Sequence, residues 1–275
     1  MKKLGFILAM LTFLALCSIT VMAAPKFDKT NLAKGYITVT YDGEVVKKVV
    51  KIKVEIVGSP ATFYSYTVIT NDPINIPLNL GNGKYKLTLM EQVAGTKYRG
   101  LAVEQFDVKV TSPNDAFLVP SPIVAYKSDT KAVVDYQKLF TDKKLTTPKT
   151  QTELLYQNMT KNFKYDYDKA GEVNDKKKYP DGYTPIIDSV YASQKGICYD
   201  YAAVTAAVLR SAGIPTKLVM GYTEALGQTY HAWNEIYLDN KWIVVDLTYD
   251  AAYVQAGQKT TMAKDAKQFK ATKVY

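Results

Sequence analysis

Hydrophobic and polar residues alternate with a period of two between Gly35 and about Val110. Five segments share this pattern, are rich in β-branched and aromatic residues, and are separated by turn signals: 35–44, 49–58, 63–69, 83–93 and 101–110. Short alternating segments without a helical period predict five to seven antiparallel strands. We therefore expect an all-β, immunoglobulin-like sandwich over 35–110, preceded by a short segment at 24–34. It contains no catalytic constellation, which favours a spacer or binding module.

The pattern changes after this sandwich. Residues 111–128 hold three prolines and little periodicity, as is typical of a linker or an extended edge segment. A T-x-x-E capping box at 150–153 then predicts the start of a helix. One face of that helix carries three apolar residues, Leu155, Met159 and Phe163. We therefore predict a second, α+β domain over 129–275.

The segment 186–250 predicts a helix, a strand and a hairpin. The helix runs from Cys198 to about Ala212, where Gly213 ends it, and a strand follows at 216–223. Gly196, just upstream, permits a tight entry. Cys198 then lies in the first helical turn, where free amides and the positive end of the helix dipole stabilise a thiolate. This is the placement that an activated cysteine nucleophile needs.

The hairpin brings a histidine and an aspartate together. Its turn, Asp239-Asn240, pairs residues whose numbers add to 479, so Trp233 faces Asp246. Alternation places His231 on the same face as Trp233 and diagonal to Asp246, about 7–8 Å away at the backbone, within reach of a side-chain hydrogen bond. A one-residue slip would move Asp246 to the opposite face, so this prediction depends on the turn.

Cysteine and histidine are scarce in this chain of 275 residues. Its only cysteines are Cys17 and Cys198, and its only histidine is His231. This excludes a disulfide framework and any zinc site built on several such ligands. It also means that no other imidazole can pair with Cys198. We expect Cys198 to attack an acyl carbon, His231 to take or share the thiol proton, and Asp246 to orient the imidazole. Taken singly, each residue also fits an ordinary structural role.

The first 23 residues have the pattern of a secretory signal peptide. Lys2 and Lys3 precede an apolar run that ends in a small-residue cleavage pattern before Ala24. We expect a secreted or cell-surface protein, with a retained membrane anchor as one alternative. Lipid attachment at Cys17 is a minor alternative, because Leu16 just before it is not small. No later stretch is apolar and long enough to span a bilayer.

The chain is basic, and its cations are almost all lysine. The formal net charge is +9, and Arg99 and Arg210 are the only arginines. Nucleic-acid readers rely on arginine for base and phosphate contacts, so we do not expect a nucleic-acid partner. A lysine-rich surface suits solubility or attraction to anionic cell-wall polymers.

Two runs carry a family resemblance: GICYDYAAVTAAVLRSAGIPTKLVMGY and HAWNEIYLDNKWIVVDLTYD. Together they resemble the core of the transglutaminase-like superfamily, and the match extends over about 150–252. The resemblance implies a papain-like fold with the nucleophile at Cys198, the base at His231 and the third member at Asp246. It also implies thioester chemistry on amide bonds of a protein or peptide substrate. We expect no cofactor.

This sequence departs from the family pattern in two ways. An upstream tryptophan supports the oxyanion in animal members, and no equivalent is evident here. Tyr165 or Tyr167 could replace it, or the Cys198 backbone N–H together with a donor such as Gln194. No acidic cluster resembles the calcium sites of animal members, so we expect no bound metal. Trp233 either packs the hairpin or forms a wall of the cleft.

Two functions of different classes fit these residues. The first is a secreted cysteine acyltransferase or hydrolase, a peptidase, amidase or transglutaminase, with hydrolysis favoured because water is abundant. The second is a non-catalytic cell-surface module that uses the same fold for binding or as a scaffold. An intact set of Cys198, His231 and Asp246 favours the enzyme, since a purely structural module does not need an exposed thiol.

Overall fold

The computed structural model describes residues 24–43, 49–68, 70–175, 177–179, 182–227 and 229–275. The predicted signal peptide at 1–23, with Cys17, lies outside these residues. Within the described part of the chain, no helix is both long and apolar enough to cross a membrane.

The N-terminal half of the described chain is built from strands. They are β1 (Lys26–Asp28), β2 (Tyr36–Thr40), β3 (Val50–Ile56), β4 (Ser59–Val68), β5 (Ile74–Pro77), β6 (Gly83–Ala94) and β7 (Lys97–Val108). All neighbours pair antiparallel, in one sheet of order β1-β2-β5 and another of order β4-β3-β6-β7. The predicted alternation explains their contact, because inward residues such as Ile37, Ile52 and Leu87 form one buried core between the sheets. The short strands β1 and β5 were not among our five predicted segments.

The C-terminal half combines helices with a second sheet. Its helices are α1 (Lys131–Asp142), α2 (Pro148–Asn162), α3 (Tyr167–Glu172), α4 (Ile187–Ser193), α5 (Cys198–Ser211) and α6 (Leu247–Gln255). Two-residue strands β8 (Lys164–Tyr165) and β9 (Lys195–Gly196) pair in parallel. The main sheet has the order β12-β11-β10-β13, from β10 (Thr216–Thr223), β11 (His231–Leu238), β12 (Lys241–Val245) and β13 (Phe269–Val274). The alanine-rich helix α5 is buried against β10 and β11.

One prediction about this half needs correction, and one strand was not predicted. The helix predicted to start at Thr150 begins at Pro148, because Pro148 occupies the first helical turn and the Thr147 hydroxyl accepts the N–H of Thr150. Its predicted apolar face is confirmed, since Leu155 and its partners on that face are buried. The strand β13 was not predicted, and it pairs with β10 from a distant part of the sequence.

Residues 111–128 pack against the C-terminal half instead of running free. They form no strand, and the Phe117 ring meets Trp242 edge-to-face at 5.6 Å. The buried Arg210 guanidinium donates to the carbonyls of Val119, Thr216 and Tyr275 at 2.8–3.0 Å. One side chain thereby ties this segment to α5 and to the end of β13.

Candidate active site

Helix α5 fixes the position of the Cys198 thiol. Cys198 is its first residue, and the extended Ile197 precedes it. The Asp200 carboxylate accepts the N–H of Ile197 at 2.9 Å, which closes the helix start. Gly196 makes this approach possible, because a Cβ there would lie 2.6 Å from the Cβ of Asp200. The predicted glycine entry and helix start are confirmed, and the thiol is held at the helix N-terminus.

Asp200 is the centre of a buried network beside the thiol. Its side chain is fully buried, the Lys169 ammonium donates to it at 2.9 Å, and the Tyr183 hydroxyl donates to its other oxygen. A buried carboxylate is costly unless its oxygens are paired, and here both are. The network ties α3 and the loop that carries Tyr183 to the first turn of α5.

The hairpin register agrees with the predicted pairing. Asn234 pairs with Val245 and Tyr237 with Trp242. Both turn residues have positive φ, 49° at Asp239 and 62° at Asn240, as a two-residue turn of type I′ requires. Asp246 follows directly after β12, and its position relative to His231 is therefore set by the turn.

The Asp246 carboxylate uses each oxygen for a different purpose. One oxygen, Oδ1, accepts the N–H of Tyr249 at 3.1 Å and so caps α6. The other, Oδ2, lies 2.8 Å from Nε2 of His231. Both side chains are buried. The helix cap prevents the carboxylate from rotating away, so the imidazole has a fixed partner.

His231 links this carboxylate to the thiol. Since Nε2 faces Asp246, the ring leaves Nδ1 for its hydrogen bond with Cys198. Burial lowers the pKa of the imidazole, but the hydrogen bonds to Asp246 and Cys198 outweigh burial and raise that pKa from 6.5 to about 10. The ring is therefore charged at neutral pH, and it places a cation beside Cys198.

Two cavities share Cys198 as a lining residue. The first, of 660 Å³, lies between the sandwich and the C-terminal half, and Ser65, Thr67 and Tyr183 line it. The second, of 530 Å³, is lined by aromatic rings that include Tyr167, Tyr249 and Tyr253. Cys198 and His231 line both cavities, as do Tyr165, Thr229 and Tyr230. Cys198 thus lies where the two cavities adjoin.

The structure separates the predicted oxyanion donors. Tyr165 lines both cavities, and burial followed by the nearby Cys198 raises the pKa of its phenol, which stays protonated. Tyr167 lines the second cavity and packs edge-to-face on Tyr165 at 4.9 Å. Gln194 is exposed, lines neither cavity, and its backbone carbonyl accepts the N–H of Lys164. Of the three, Tyr165 is the one that lines both cavities together with Cys198.

Trp233 packs the sheet and lines neither cavity. Its indole is 1% exposed and lies 5.1 Å from the Phe269 ring, in a small cluster with Val219 and Val244. It also stacks beside His231 at 6.4 Å between ring centres. Of the two roles considered for Trp233, packing is the one its position fits.

Sequence reasoning missed the contribution of the sandwich to this site. Ser65 and Thr67 belong to β4, more than a hundred residues before Cys198 in the chain. Nothing in the local pattern of β4 distinguishes these residues from any other outward-facing strand residues. Among the described residues, the structure contains no group of three or more His, Cys, Asp or Glu side chains arranged to hold a metal ion.

Comparison with known proteins gives one family and several distant relatives. Residues 138–247 match the model of the transglutaminase-like superfamily. A UPF0252 protein of Methanocaldococcus jannaschii is 32% identical over 133 residues, 47% of this chain and 35% of that protein. Human kyphoscoliosis peptidase is 32% identical over 74 residues, 24% of this chain and 11% of the peptidase. The chain thus spans well under half the length of either curated relative.

The solved structures that the chain matches are more distant in sequence. A candidate cysteine protease from Cytophaga hutchinsonii is 15% identical, with 92% of this chain and 84% of that chain covered and a TM-score of 0.40. Red sea bream transglutaminase is 13% identical, with coverages of 78% and 48% and a TM-score of 0.26. The family match lies on the segment that carries Cys198, His231 and Asp246. Residues 138–247 belong to the transglutaminase-like superfamily, as the sequence resemblance predicted.

Proposed function

We propose that this protein is a cysteine-dependent acyltransferase or hydrolase that acts on amide bonds of a protein or peptide through a thioester. The observation that carries the proposal is the chain of contacts from Asp246 through His231 to Cys198, at the start of a buried helix and on the wall of two cavities. The peptidase name of the human relative supports an amide substrate.

The reaction follows from the charges in this chain of contacts. The Cys198 thiolate attacks the amide carbonyl carbon, which forms a C–S bond and a tetrahedral oxyanion. The His231 imidazolium gives its proton to the leaving nitrogen as the C–N bond breaks, and a thioester remains. Water, or a primary amine, then attacks the thioester while His231 takes its proton, and the C–S bond breaks. Asp246 keeps the imidazole oriented throughout.

We propose two donors for the oxyanion. The backbone N–H of Cys198, at the first position of α5, has no partner inside the helix because the i−4 carbonyl lies outside it. The Tyr165 hydroxyl is the second donor, since this residue lines both cavities beside the thiol. Donors aimed at the developing charge contribute strongly to catalysis in a partly dry site.

The two cavities give the reaction separate approaches. One holds the acyl-donating segment, and the other admits the acceptor or releases the leaving amine. The second cavity, of 530 Å³, we call the aromatic cavity. No carboxylate is among the residues that line it, so nothing there recognises a lysine acceptor through charge. We therefore favour water as the acceptor.

Mass spectrometry tests this function. The mature protein is incubated with glutamine-containing and wall-derived peptides, and the mass of the intact protein is measured after an acid quench. We expect an acyl adduct on Cys198 that decays to carboxylate product and is absent in Cys198→Ala. Failure to detect an adduct, together with a Cys198 no more reactive toward iodoacetamide than a model thiol, would overturn the enzyme hypothesis. Unchanged binding to wall extracts by Cys198→Ala would then favour the binding module.

We also infer that the sandwich is immunoglobulin-like and that the protein is secreted. The division into β1-β2-β5 and β4-β3-β6-β7, with all neighbours antiparallel, supports the first inference. The signal-peptide pattern at 1–23 supports the second. N-terminal sequencing of protein from the culture medium tests it, and a mature chain that starts at Ala24 is the expected result.

A further inference from the structure

One edge of the sandwich is open next to the thiol. Strand β4 is the outermost strand of its sheet, and within the described residues no strand pairs with its outer side. An unpaired edge presents a row of main-chain N–H and C=O groups to whatever lies beside it.

The sheet register identifies which groups point outward. The Val57 N–H donates to the Lys84 carbonyl, and the Gln92 N–H donates to the Val49 carbonyl, both at 2.8 Å. Val49 and Val57 flank β3 and have odd numbers. The odd-numbered residues of β3 therefore form their main-chain hydrogen bonds with β6. Even-numbered residues of β3 therefore bond to β4, through their partners Tyr64 and Tyr66.

Ser65 and Thr67, which alternate with those two tyrosines, direct their N–H and C=O groups away from the sheet. The Phe63 carbonyl, which has the same parity, accepts the ammonium of Lys273 from outside the sheet, as this register requires. We call the outward groups of Ser65 and Thr67 the β4 edge.

The β4 edge lies on the wall of the cavity that contains Cys198. Ser65 is exposed and Thr67 half-buried, and both line this 660 Å³ cavity. Thr67 and Pro122 also line a third cavity, of 440 Å³, that lies beside the segment 120–127. The two cavities meet along the edge of β4, so the open edge continues beyond the thiol site.

We propose that an extended polypeptide substrate binds as an added strand on the β4 edge and so presents its amide to Cys198. An open edge recognises another extended main chain, whose N–H and C=O groups match its own, and it places little demand on side chains. The small, uncharged side chains of Ser65 and Thr67 leave room for such a strand. The sandwich would then be the substrate-binding part of the site. This inference rests on the proposed function.

The test compares two alkylating agents at Cys198. One is bromoacetamide. The other is a peptide about as long as β4, of alternating valine and threonine around a central lysine, whose side-chain amine carries a bromoacetyl group. We measure the rate constants for alkylation of Cys198 by intact mass and take the ratio of peptide to bromoacetamide. The ratio corrects for any change in the thiol itself.

We expect the wild-type ratio to be well above one and the Ser65→Pro variant to lower it by about fivefold, the effect of one main-chain hydrogen bond. Proline at this position removes an outward N–H and no ladder bond, which an edge strand tolerates. Gln105→Pro is the matched control, because Gln105 is exposed on β7 at the opposite edge of the same sheet and its N–H also points outward. Its ratio should equal that of the wild type.

Methylated peptides give a second measurement that does not depend on a folded variant. Two versions of the peptide carry N-methyl groups on alternate amides, one on each edge of the extended chain. One version should lose the rate advantage and the other should keep it. Equal ratios for both versions, or for wild type and Ser65→Pro, would overturn the proposal.

The outcomes separate this inference from the proposed function. A Cys198 that reacts with bromoacetamide no faster than a model thiol contradicts the proposed function. A reactive Cys198 whose peptide ratio is unaffected by Ser65→Pro and by N-methylation leaves the function standing and removes the β4 edge from it.

Discussion

Asp246 holds His231 by a 2.8 Å hydrogen bond from Nε2 to Oδ2, while its other oxygen caps helix α6. A single residue therefore connects the orientation of the imidazole with the stability of the helix that follows. These two roles can be separated by substitution, because asparagine caps a helix about as well as aspartate but carries no charge.

We expect Asp246→Asn to fold and to lose activity. The amide keeps the cap of α6, but it can no longer stabilise the charged imidazole or fix its tautomer. The rate of acyl-enzyme formation should fall by about ten-thousandfold, as measured by rapid-quench mass spectrometry. Asp246→Ala should show the same loss and in addition a free energy of unfolding lower by about 1 kcal/mol, since the cap is lost too. Equal activity of Asp246→Asn and wild type would contradict the role given to Asp246.

The titration of His231 should be displaced to high pH. Its hydrogen bonds to Asp246 and Cys198 raise the pKa from 6.5 to about 10. Because His231 is the only histidine, its ring signals in an NMR titration of untagged protein need no assignment. We expect no change in them between pH 6 and 8, roughly the range in which an ordinary histidine loses its proton. A titration midpoint near pH 6.5 would contradict the raised pKa of His231.

The same pKa shift predicts how stability depends on pH. A pKa raised in the folded state adds stability that is fully present below pH 6.5, the ordinary value, and is lost as the pH rises through about 10. The free energy of unfolding in urea should therefore decline over this interval. Asp246→Asn should show a smaller decline, because the charge that raises the pKa of His231 is gone.

Tyr165→Phe tests the oxyanion donor. Removal of one such donor should slow acyl-enzyme formation by about a hundredfold. The rate of Cys198 alkylation by iodoacetamide should stay near the wild-type rate, because that reaction forms no oxyanion. Tyr167→Phe is the matched control, since Tyr167 is 78% exposed and lies on the aromatic cavity alone. If both variants slow acylation equally, Tyr165 is not the donor.

Gly196→Ala should distort the start of α5. The added Cβ would lie 2.6 Å from the Cβ of Asp200, so the helix start or the buried carboxylate must move. We expect the free energy of unfolding to fall by about 2 kcal/mol and the alkylation rate of Cys198 to drop. Gly171→Ala, in α3, meets no atom within 4 Å and should leave stability unchanged or slightly higher. Thermal and urea unfolding measure both.

Arg210→Met should weaken the attachment of residues 111–128 to the C-terminal half. Methionine fills much of the space but leaves the carbonyls of Val119, Thr216 and Tyr275 without their buried donor. The expected loss in the free energy of unfolding is about 3 kcal/mol. The control Lys138→Met breaks an exposed pair with Asp142 and should change stability by less than about 1 kcal/mol. A loss equal to that of the control would show that the guanidinium contributes little.

Local features of the sequence were sufficient to predict the elements that carry Cys198, His231 and Asp246. Helix α5 was predicted because Gly196 and Gly213 limit it, and the strand at 216–223 was predicted with its observed bounds. The hairpin register followed from one two-residue turn, since each strand residue changes face in strict alternation. The proximity of His231 to Asp246 was predictable because a single hairpin turn lies between them in the sequence.

Contacts between distant segments were decided by the tertiary structure alone. The pairing of β13 with β10, the buried network at Asp200 and the position of Tyr165 in one cavity with Cys198 all join residues that no local pattern relates. The same holds for Ser65 and Thr67 on the cavity wall. Periodicity specifies which face of an element is buried, but it does not specify which element covers that face. The sequence therefore determined the thiol, the imidazole and the carboxylate, and the packing of the two halves decided the walls around them.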